Sequence, residues 1–162
     1  MTTAEMESTA PKGERAPWFV IVLRVLAVVA ALGALGVFCY CAFRLTLTPV
    51  DDNGQAGGNT DPGRSLRFYW GAPLKDALLQ LGGNLALLAP LGVLLPVVAV
   101  RLRGPLRLVV VGALSSLAIE LVQGLFVMGR AFDVDDLILN TAGVLLAYLL
   151  IGRRVSRMVR GS

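Results

Sequence analysis

The apolar positions of this chain fall into four long runs instead of recurring at the spacing of a soluble core. The runs comprise residues 18–43, 77–100, 106–128 and 137–152. A helix of about 20 apolar residues crosses the roughly 30 Å of hydrocarbon in a bilayer. The fourth run is short, so its helix either thins the bilayer or begins before the run, with Asp135 and Asp136 in its first turn. The pattern predicts an all-α membrane protein with four transmembrane helices.

Basic residues mark one set of ends of these runs. They precede the first run, fill the turn between the second and third, and follow the fourth: Lys12, Arg15, Arg101, Arg103, Arg107, Arg153, Arg154, Arg157 and Arg160. Short cytoplasmic segments carry the excess of Lys and Arg in membrane proteins. With four spans, the charge pattern places both the N-terminus and the C-terminus in the cytoplasm.

The segments outside the runs are polar or aromatic. The chain divides into a tail, a first helix, a loop, a three-helix region and a basic tail: residues 1–17, 18–43, 44–76, 77–152 and 153–162. The N-terminal tail has little apolar surface to bury, so we expect it to be disordered in the cytoplasm. The loop is expected to be extracytoplasmic, and its Phe68, Tyr69 and Trp70 are typical of a segment lying at the membrane interface.

Composition narrows the chemistry that the chain can perform. Of its 162 residues, 56% are apolar and none is histidine, and the mean hydropathy is +0.71. These values exclude a soluble globular enzyme, a His-ligated zinc site and a Ser-His-Asp triad. The net charge of +4 comes from arginines at the ends of spans, so it indicates membrane orientation and not nucleic-acid binding. No cofactor is expected.

Polar and small residues form two stripes at helical spacing. The stripe of the third span comprises Gly112, Ser116, Glu120 and Gln123. The stripe of the fourth span comprises Asp136, Asn140, Gly143 and Ala147. A carboxylate facing lipid is costly, so the stripe with Glu120 is predicted to face inward, against the fourth span. In the second span, Pro90, Gly92 and Pro96 predict a kink.

In this topology the polar side chains of three spans meet at their outer ends. The predicted polar pocket comprises Asn84, Ser116, Glu120, Gln123, Arg130, Asp133, Asp135, Asp136 and Asn140. One interpretation is a structural clamp, in which Arg130 neutralises Glu120 or an aspartate. Another is a pocket open to the outer surface. A third is a Mg²⁺ or Ca²⁺ site, although a D-x-D-D run alone does not predict a metal. Its candidate ligands are Glu120, Asp133, Asp135 and Asp136.

The same residues lie in three motifs that resemble those of VanZ-like membrane proteins. The second span contains N-x-x-x-x-x-P-L-G-x-x-L-P from Asn84, and the third contains S-x-x-I-E-x-x-Q from Ser116. Arg130 begins the third motif, R-x-x-D-x-D-D-x-x-x-N-T-x-G. The resemblance covers roughly residues 74–151.

The resemblance implies a multi-pass protein of the bacterial plasma membrane and an activity in resistance to the glycopeptide antibiotic teicoplanin. It implies no reaction mechanism. The motif positions that it carries over are Asn84, Glu120, Gln123, Arg130, Asp133, Asp135, Asp136 and Asn140. The expected partners are the lipid bilayer and a cell-wall precursor or glycopeptide, with no nucleic acid.

Three functions are compatible with these residues. The favoured one is a non-enzymatic protein whose outer pocket binds an envelope component, with Arg130 meeting an anionic or amide group. The alternative is an intramembrane metal-dependent enzyme acting on lipid-linked pyrophosphate precursors, with Glu120 as general base. It ranks second because the chain has no complete phosphatase or transferase motif. A transporter with Glu120 as a proton site ranks third because four spans without an inverted repeat are too few.

Overall fold

Four helices of this protein are long and apolar enough to cross a membrane. The computed structural model describes residues 17–49 and 58–160, so the predicted disordered tail lies outside the described residues apart from Pro17. The four candidate spans are Trp18–Thr46, Leu74–Val98, Pro105–Phe126 and Val134–Arg160. They confirm the predicted all-α class with four transmembrane helices.

The first span, α1 (Trp18–Thr46), is uninterrupted and mostly exposed. Its 29 residues extend about 44 Å, which is more than a bilayer's hydrocarbon thickness. Its buried residues are Ala31, Ala42 and Thr46, while Leu35 and Phe38 pack against the core. The helix is apolar on all sides, so most of its surface suits contact with lipid.

The second span is built from several helical segments. After the short helix α2 (Arg64–Trp70), it comprises α3 (Leu74–Ala77), a π-helical turn (Leu78–Gly82), α4 (Gly83–Leu87) and α5 (Ala89–Val98). Leu88 interrupts the helix between α4 and α5. Pro90 has no N–H to donate to a carbonyl one turn earlier, so the interruption agrees with the predicted kink.

The third span, α6 (Pro105–Phe126), has one buried face. That face comprises Leu108, Gly112, Ser116, Glu120 and Gln123. All four residues of the predicted stripe are therefore buried, as expected from the cost of exposing Glu120 to lipid.

The fourth span comprises α7 (Val134–Ala147), a π-helical turn (Tyr148–Gly152) and α8 (Arg153–Arg160). It begins before its apolar run, so Asp135 and Asp136 lie in its first turn. Of its predicted stripe, Asn140 and Gly143 are buried, whereas Asp136 and Ala147 are half-buried. The basic residues predicted as a tail are helical as far as Arg160.

The second and fourth spans cross in backbone contact. A Cβ atom added at Gly143 would overlap the carbonyl of Leu85, and one added at Gly92 would overlap that of Val144. Glycine is needed here because a side chain would separate the helices. The apolar core beside the crossing comprises Leu88, Leu91, Leu108, Val144 and Tyr148.

The two ends of the helix bundle differ in charge, with an excess of arginine at one end and a cluster of aspartates at the other. At one end, called here the arginine end, Arg103 donates to the carbonyl of Ser156, and Arg160 donates to the carbonyls of Val97 (2.9 Å) and Val98 (2.6 Å). These bonds join the end of the second span, and the turn that follows it, to α8. The other end, called here the aspartate end, contains residues 58–65 and 127–136.

Candidate functional site

A cap at the aspartate end connects the third and fourth spans. After α6 ends at Phe126, the chain turns at Gly129 (φ 74°) and reaches Asp133, the residue before α7. The Asp133 side chain accepts a hydrogen bond from the backbone N–H of Asp135 (2.8 Å), which satisfies a donor at the helix start. The backbone N–H of Asp133 donates to Oε2 of Glu120 (2.9 Å). Buried Glu120 thereby fixes the start of the fourth span.

Asn59 attaches a distant loop to this cap. Its backbone N–H donates to the carbonyl of Phe132 (2.7 Å), and its carbonyl accepts from the N–H of Val134 (2.9 Å). These two bonds form a parallel bridge between Asn59 and Asp133. The Asn59 side chain also donates through Nδ2 to Oδ1 of Asp133 (2.8 Å). The loop before α2 is therefore held by backbone and side-chain bonds together.

Two aspartates hold the remainder of that loop. The buried carboxylate of Asp135 accepts from the backbone N–H groups of Gly63 (2.5 Å) and Ser65 (2.7 Å), and from Nδ2 of Asn59 (3.3 Å). Oδ2 of Asp133 accepts from the hydroxyl of Ser65 (2.6 Å). Hydrogen bonds to a charged acceptor are about twice as strong as neutral ones. These carboxylates therefore fix the residues from which α2 begins.

Gln123 and Arg130 hold the end of the first span. Nε2 of Gln123 donates to the carbonyl of Thr46 (2.8 Å). Arg130 donates through Nη2 to the carbonyl of Leu45 (2.9 Å) and through Nε to that of Thr48 (3.5 Å). The last carbonyls of a helix have no partner inside the helix, so these bonds satisfy groups that a membrane would leave unpaired. Both side chains thus attach α1 to the other three spans.

The predicted ion pair of Arg130 with Glu120 or an aspartate is not present. Within the described residues, the ion pair is that of Arg67 with Asp61 (2.8 Å), and both side chains are exposed. Arg130 is engaged by backbone carbonyls, while Glu120 accepts from a backbone N–H. The clamp therefore exists, but hydrogen bonds to the backbone supply it instead of paired charges.

Two further hydrogen bonds join the spans deeper in the bundle. Nδ2 of Asn140 donates to Oγ of Ser116 (2.9 Å), and both residues are buried between α6 and α7. Nδ2 of Asn84 donates to Oδ1 of Asp136 and links the second span to the fourth. The predicted stripes therefore face each other at Ser116 and Asn140, whereas Gly143 faces Leu85 in α4.

The four carboxylates proposed as cation ligands do not form a common set. Across residues 17–49 and 58–160, no three His, Cys, Asp or Glu side chains are grouped so that they could hold a metal ion. Asp133 and Asp135 use their oxygens for the cap and the loop, and Asp136 accepts from Asn84. The internal donors therefore direct these carboxylates to different partners.

A cavity of about 620 Å³ lies beside these contacts at the aspartate end. One wall is α2, with Arg64, Phe68 and Tyr69, and the π-helical turn of the second span contributes Gln80. The facing wall comes from the end of α6, the segment that follows it and the first turn of α7. Its polar members are Gln123, Arg130, Asp133 and Asp136. The cavity therefore combines guanidinium, carboxamide, carboxylate and aromatic groups.

Comparison with protein families matches residues 30–155 to the VanZ/LLP1 family. The chain belongs to the VanZ/LLP1 family. The matched region begins within α1, so it includes the loop and α2 as well as the three motifs identified in the sequence. A search of curated proteins and a search of solved structures each found no match.

In this VanZ/LLP1 protein, the nine residues predicted as a polar pocket divide into two groups. Those that line the cavity are Gln123, Arg130, Asp133 and Asp136. Those that lie outside its lining and hold helices or the loop together are Asn84, Ser116, Glu120, Asp135 and Asn140. More of the nine residues therefore hold helices or the loop together from outside the lining than line the cavity itself.

Sequence reasoning missed the cavity residues contributed by the loop, by α2 and by the start of the second span. Gln80 carried a usable signal because it is an amide within an apolar run. Arg64 and Asn59 carried none, since polar residues are ordinary in a loop rich in glycine. Their importance depends on contacts with residues far along the chain.

Proposed function

We propose that this VanZ/LLP1 protein binds a component of the bacterial cell envelope in the cavity at the aspartate end, and so alters the action of glycopeptide antibiotics such as teicoplanin. In this proposal the aspartate end faces outward, in accord with the excess of arginine at the other end. The observation that carries the proposal is the cavity of about 620 Å³, which is within the usual range for ligand sites.

The lining of the cavity suits a ligand with anionic and amide groups. Arg64 and Arg130 provide guanidinium donors for a carboxylate or phosphate, and Gln80 and Gln123 provide carboxamides for peptide bonds. The ring of Tyr69 adds an apolar surface with a hydroxyl. Cell-wall precursors and glycopeptides both carry anionic groups and amide groups.

Residues of the cavity have two different tasks under this proposal. Asp133 holds the loop, and Gln123 and Arg130 also hold α1, so changes there disturb the frame. Within the described residues, Arg64 and Gln80 form no side-chain hydrogen bond, so all of their donors are left for a ligand. They are therefore the residues on which the proposal is best tested.

The first prediction concerns antibiotic susceptibility. Expressed in a strain that lacks it, the wild-type protein should lower teicoplanin susceptibility, and Arg64→Gln or Gln80→Ala should remove most of that effect. Loss of one hydrogen bond to a charged group weakens affinity roughly tenfold or more. The measurement is the inhibitory concentration, with immunoblots showing equal amounts of each variant in the membrane.

Arg67→Gln is the matched control for this experiment. Arg67 lies on the same helix as Arg64 and is likewise exposed, but it is paired with Asp61 and lies outside the cavity lining. This variant should protect as well as the wild type. If Arg64→Gln and Gln80→Ala also protect fully at equal abundance, the cavity is not the site of action and the proposal fails.

A further inference from the structure

We infer that the mouth of the cavity beside α2 binds the phosphate head group of an anionic membrane lipid, with Arg64 and Arg130 as its cations and the acyl chains along the exposed apolar surface. The inference rests on the proposed function, because it takes the same cavity as a ligand site. It adds the class of ligand and the side from which the ligand arrives: the bilayer and not the aqueous phase.

The position of Phe68 shows where the cavity meets the outside of the protein. Its ring lines the cavity, yet 68% of the residue is exposed, so it lies at the rim. Trp70 at the end of the same helix is 90% exposed, and Leu74 and Leu78 continue the exposed apolar surface along the second span. Aromatic residues at the ends of spans lie at the level of lipid head groups. The polar cavity therefore adjoins an apolar surface suited to acyl chains.

The formal charges of the lining balance, so the unused hydrogen-bonding capacity of the cavity is what favours an anionic group, and Arg130 keeps donors beyond those bonded to Leu45 and Thr48. Arg64 and Arg130 form no ion pair within the described residues. Asp133 and Asp136 also line the cavity, but both oxygens of Asp133 and one oxygen of Asp136 already accept hydrogen bonds. The guanidinium groups thus have the greater unused hydrogen-bonding capacity. A guanidinium matches two phosphate oxygens at once, which an ammonium group does not.

The backbone at Arg64 is fixed before any ligand binds. Its two neighbours, Gly63 and Ser65, both donate their N–H groups to the carboxylate of Asp135. Because Asp135 is buried in the fourth span, the Cα atom of Arg64 is held in place beside the cavity. Such preorganisation reduces the entropy that binding must overcome.

Tryptophan fluorescence can report on this site alone. The chain has two tryptophans, Trp18 at the start of α1 and Trp70 at the end of α2. In a Trp18→Phe background, Trp70 is the sole reporter and lies about 9 Å along the helix from Arg64. The full-length protein is placed in phosphatidylcholine vesicles that contain either brominated phosphatidylglycerol or brominated phosphatidylcholine at the same mole fraction. Bromine quenches a tryptophan that it contacts.

We expect the lipid site beside Trp70 to bind phosphatidylglycerol roughly fivefold more strongly than phosphatidylcholine, as judged from the quenching of Trp70. This factor corresponds to about 1 kcal/mol for one arginine at a membrane surface. Arg64→Gln should remove this preference, while the matched variant Arg67→Gln should retain it. Equal quenching by the two lipids in the parent protein, or an unchanged preference in Arg64→Gln, would overturn the inference.

Two further arms identify the source of the phosphate and the end at which it binds. If millimolar glycerol 3-phosphate or inorganic phosphate reverses the quenching of Trp70, the site takes soluble phosphate in preference to the lipid and the lipid inference is overturned; no reversal supports it. A Trp70→Phe protein reports from Trp18 instead. Trp18 begins α1, at the end of the bundle opposite to the cavity. If phosphatidylglycerol quenches Trp18 preferentially but does not quench Trp70 preferentially, lipid binding belongs to the arginine end and the inference is overturned.

Failure of this inference can be told apart from failure of the proposed function. If Trp70 shows no lipid preference but Arg64→Gln still abolishes protection against teicoplanin, the cavity binds a ligand that is not an anionic lipid. If the preference is present and depends on Arg64 while protection is unaffected, the lipid site stands and the antibiotic role does not.

Discussion

Asp133, Asp135 and Asp136 lie within one helical turn, and the direction in which each side chain leaves the chain decides its use. Asp133 precedes α7 and caps it, Asp135 points toward the loop before α2, and Asp136 points toward Asn84 in the second span. The sequence leaves a cation site open as one interpretation of this run because it does not display these directions. The three neighbouring carboxylates thus have three uses: they cap α7, hold the loop before α2 and bind the second span.

The role of Asp135 in holding the loop can be tested by substitution. Asp135→Ala removes the acceptor for the N–H groups of Gly63 and Ser65, so docking of the loop should weaken by about 1.5–3 kcal/mol. Hydrogen exchange at residues 58–70 should become faster, while α6 keeps its protection. Asp61→Ala is the control, because an exposed ion pair contributes less than about 1 kcal/mol. Unchanged exchange at Gly63 and Ser65 in Asp135→Ala would contradict the anchoring role.

The backbones of the second and fourth spans lie so close together that only glycine fits between them. Gly143 meets the carbonyl of Leu85, and Gly152 meets that of Gly92, so the two helices touch through their backbones on both sides of the kink at Leu88. Close backbone approach increases van der Waals contact, which is the main force between helices in lipid. The crossing also sets where Asn84 meets Asp136.

The prediction for this crossing compares two alanine substitutions. Gly143→Ala should destabilise the protein by about 1–3 kcal/mol, because the new methyl group overlaps a backbone carbonyl that cannot move aside. Gly83→Ala is the matched control in a helix of the same bundle. Its Cβ meets nothing within 4 Å, so it should be neutral or stabilising by up to about 1 kcal/mol. Thermal unfolding in detergent, followed by circular dichroism, measures both; equal stabilities would show that the crossing is not tight.

For the molecule as a whole, the excess of arginine at one end predicts which way the protein lies in the membrane. The arginine end has six arginines from the turn after the second span and from α8, and no carboxylate within those segments. The aspartate end has the loop, the cap and the cavity. Lys and Arg are retained on the cytoplasmic side, so the cavity is expected on the outer side.

Cysteine labelling tests this orientation. In a Cys39→Ser, Cys41→Ser background, a single cysteine replaces either Thr60 or Arg157, both of which are exposed. A membrane-impermeant maleimide should label the Thr60→Cys protein in intact spheroplasts, and the Arg157→Cys protein only after permeabilisation. The reverse pattern would place the cavity in the cytoplasm and remove its access to envelope ligands.

The apolar runs and the stripe of the third span were predictable because a bilayer imposes a simple rule on the chain. A span needs about 20 apolar residues, and a carboxylate such as Glu120 must turn away from lipid. The number of spans, the inward face of α6, the kink near Pro90 and the facing of the two stripes all follow from spacing and burial cost.

The partners of most polar groups were decided by tertiary structure alone. Asn59 meets Asp133 across 74 positions, and Gln123 meets the backbone of Thr46 across 77. Loop residues carry no periodicity, and a backbone carbonyl is identical at every position, so no sequence pattern could indicate these contacts. The sequence by itself determined four spans and the burial of their polar stripe, since both depend on transfer from water to lipid. Only the folded chain decided which groups close the clamp and which, like Arg64, line the cavity, because that depends on directed bonds between distant residues.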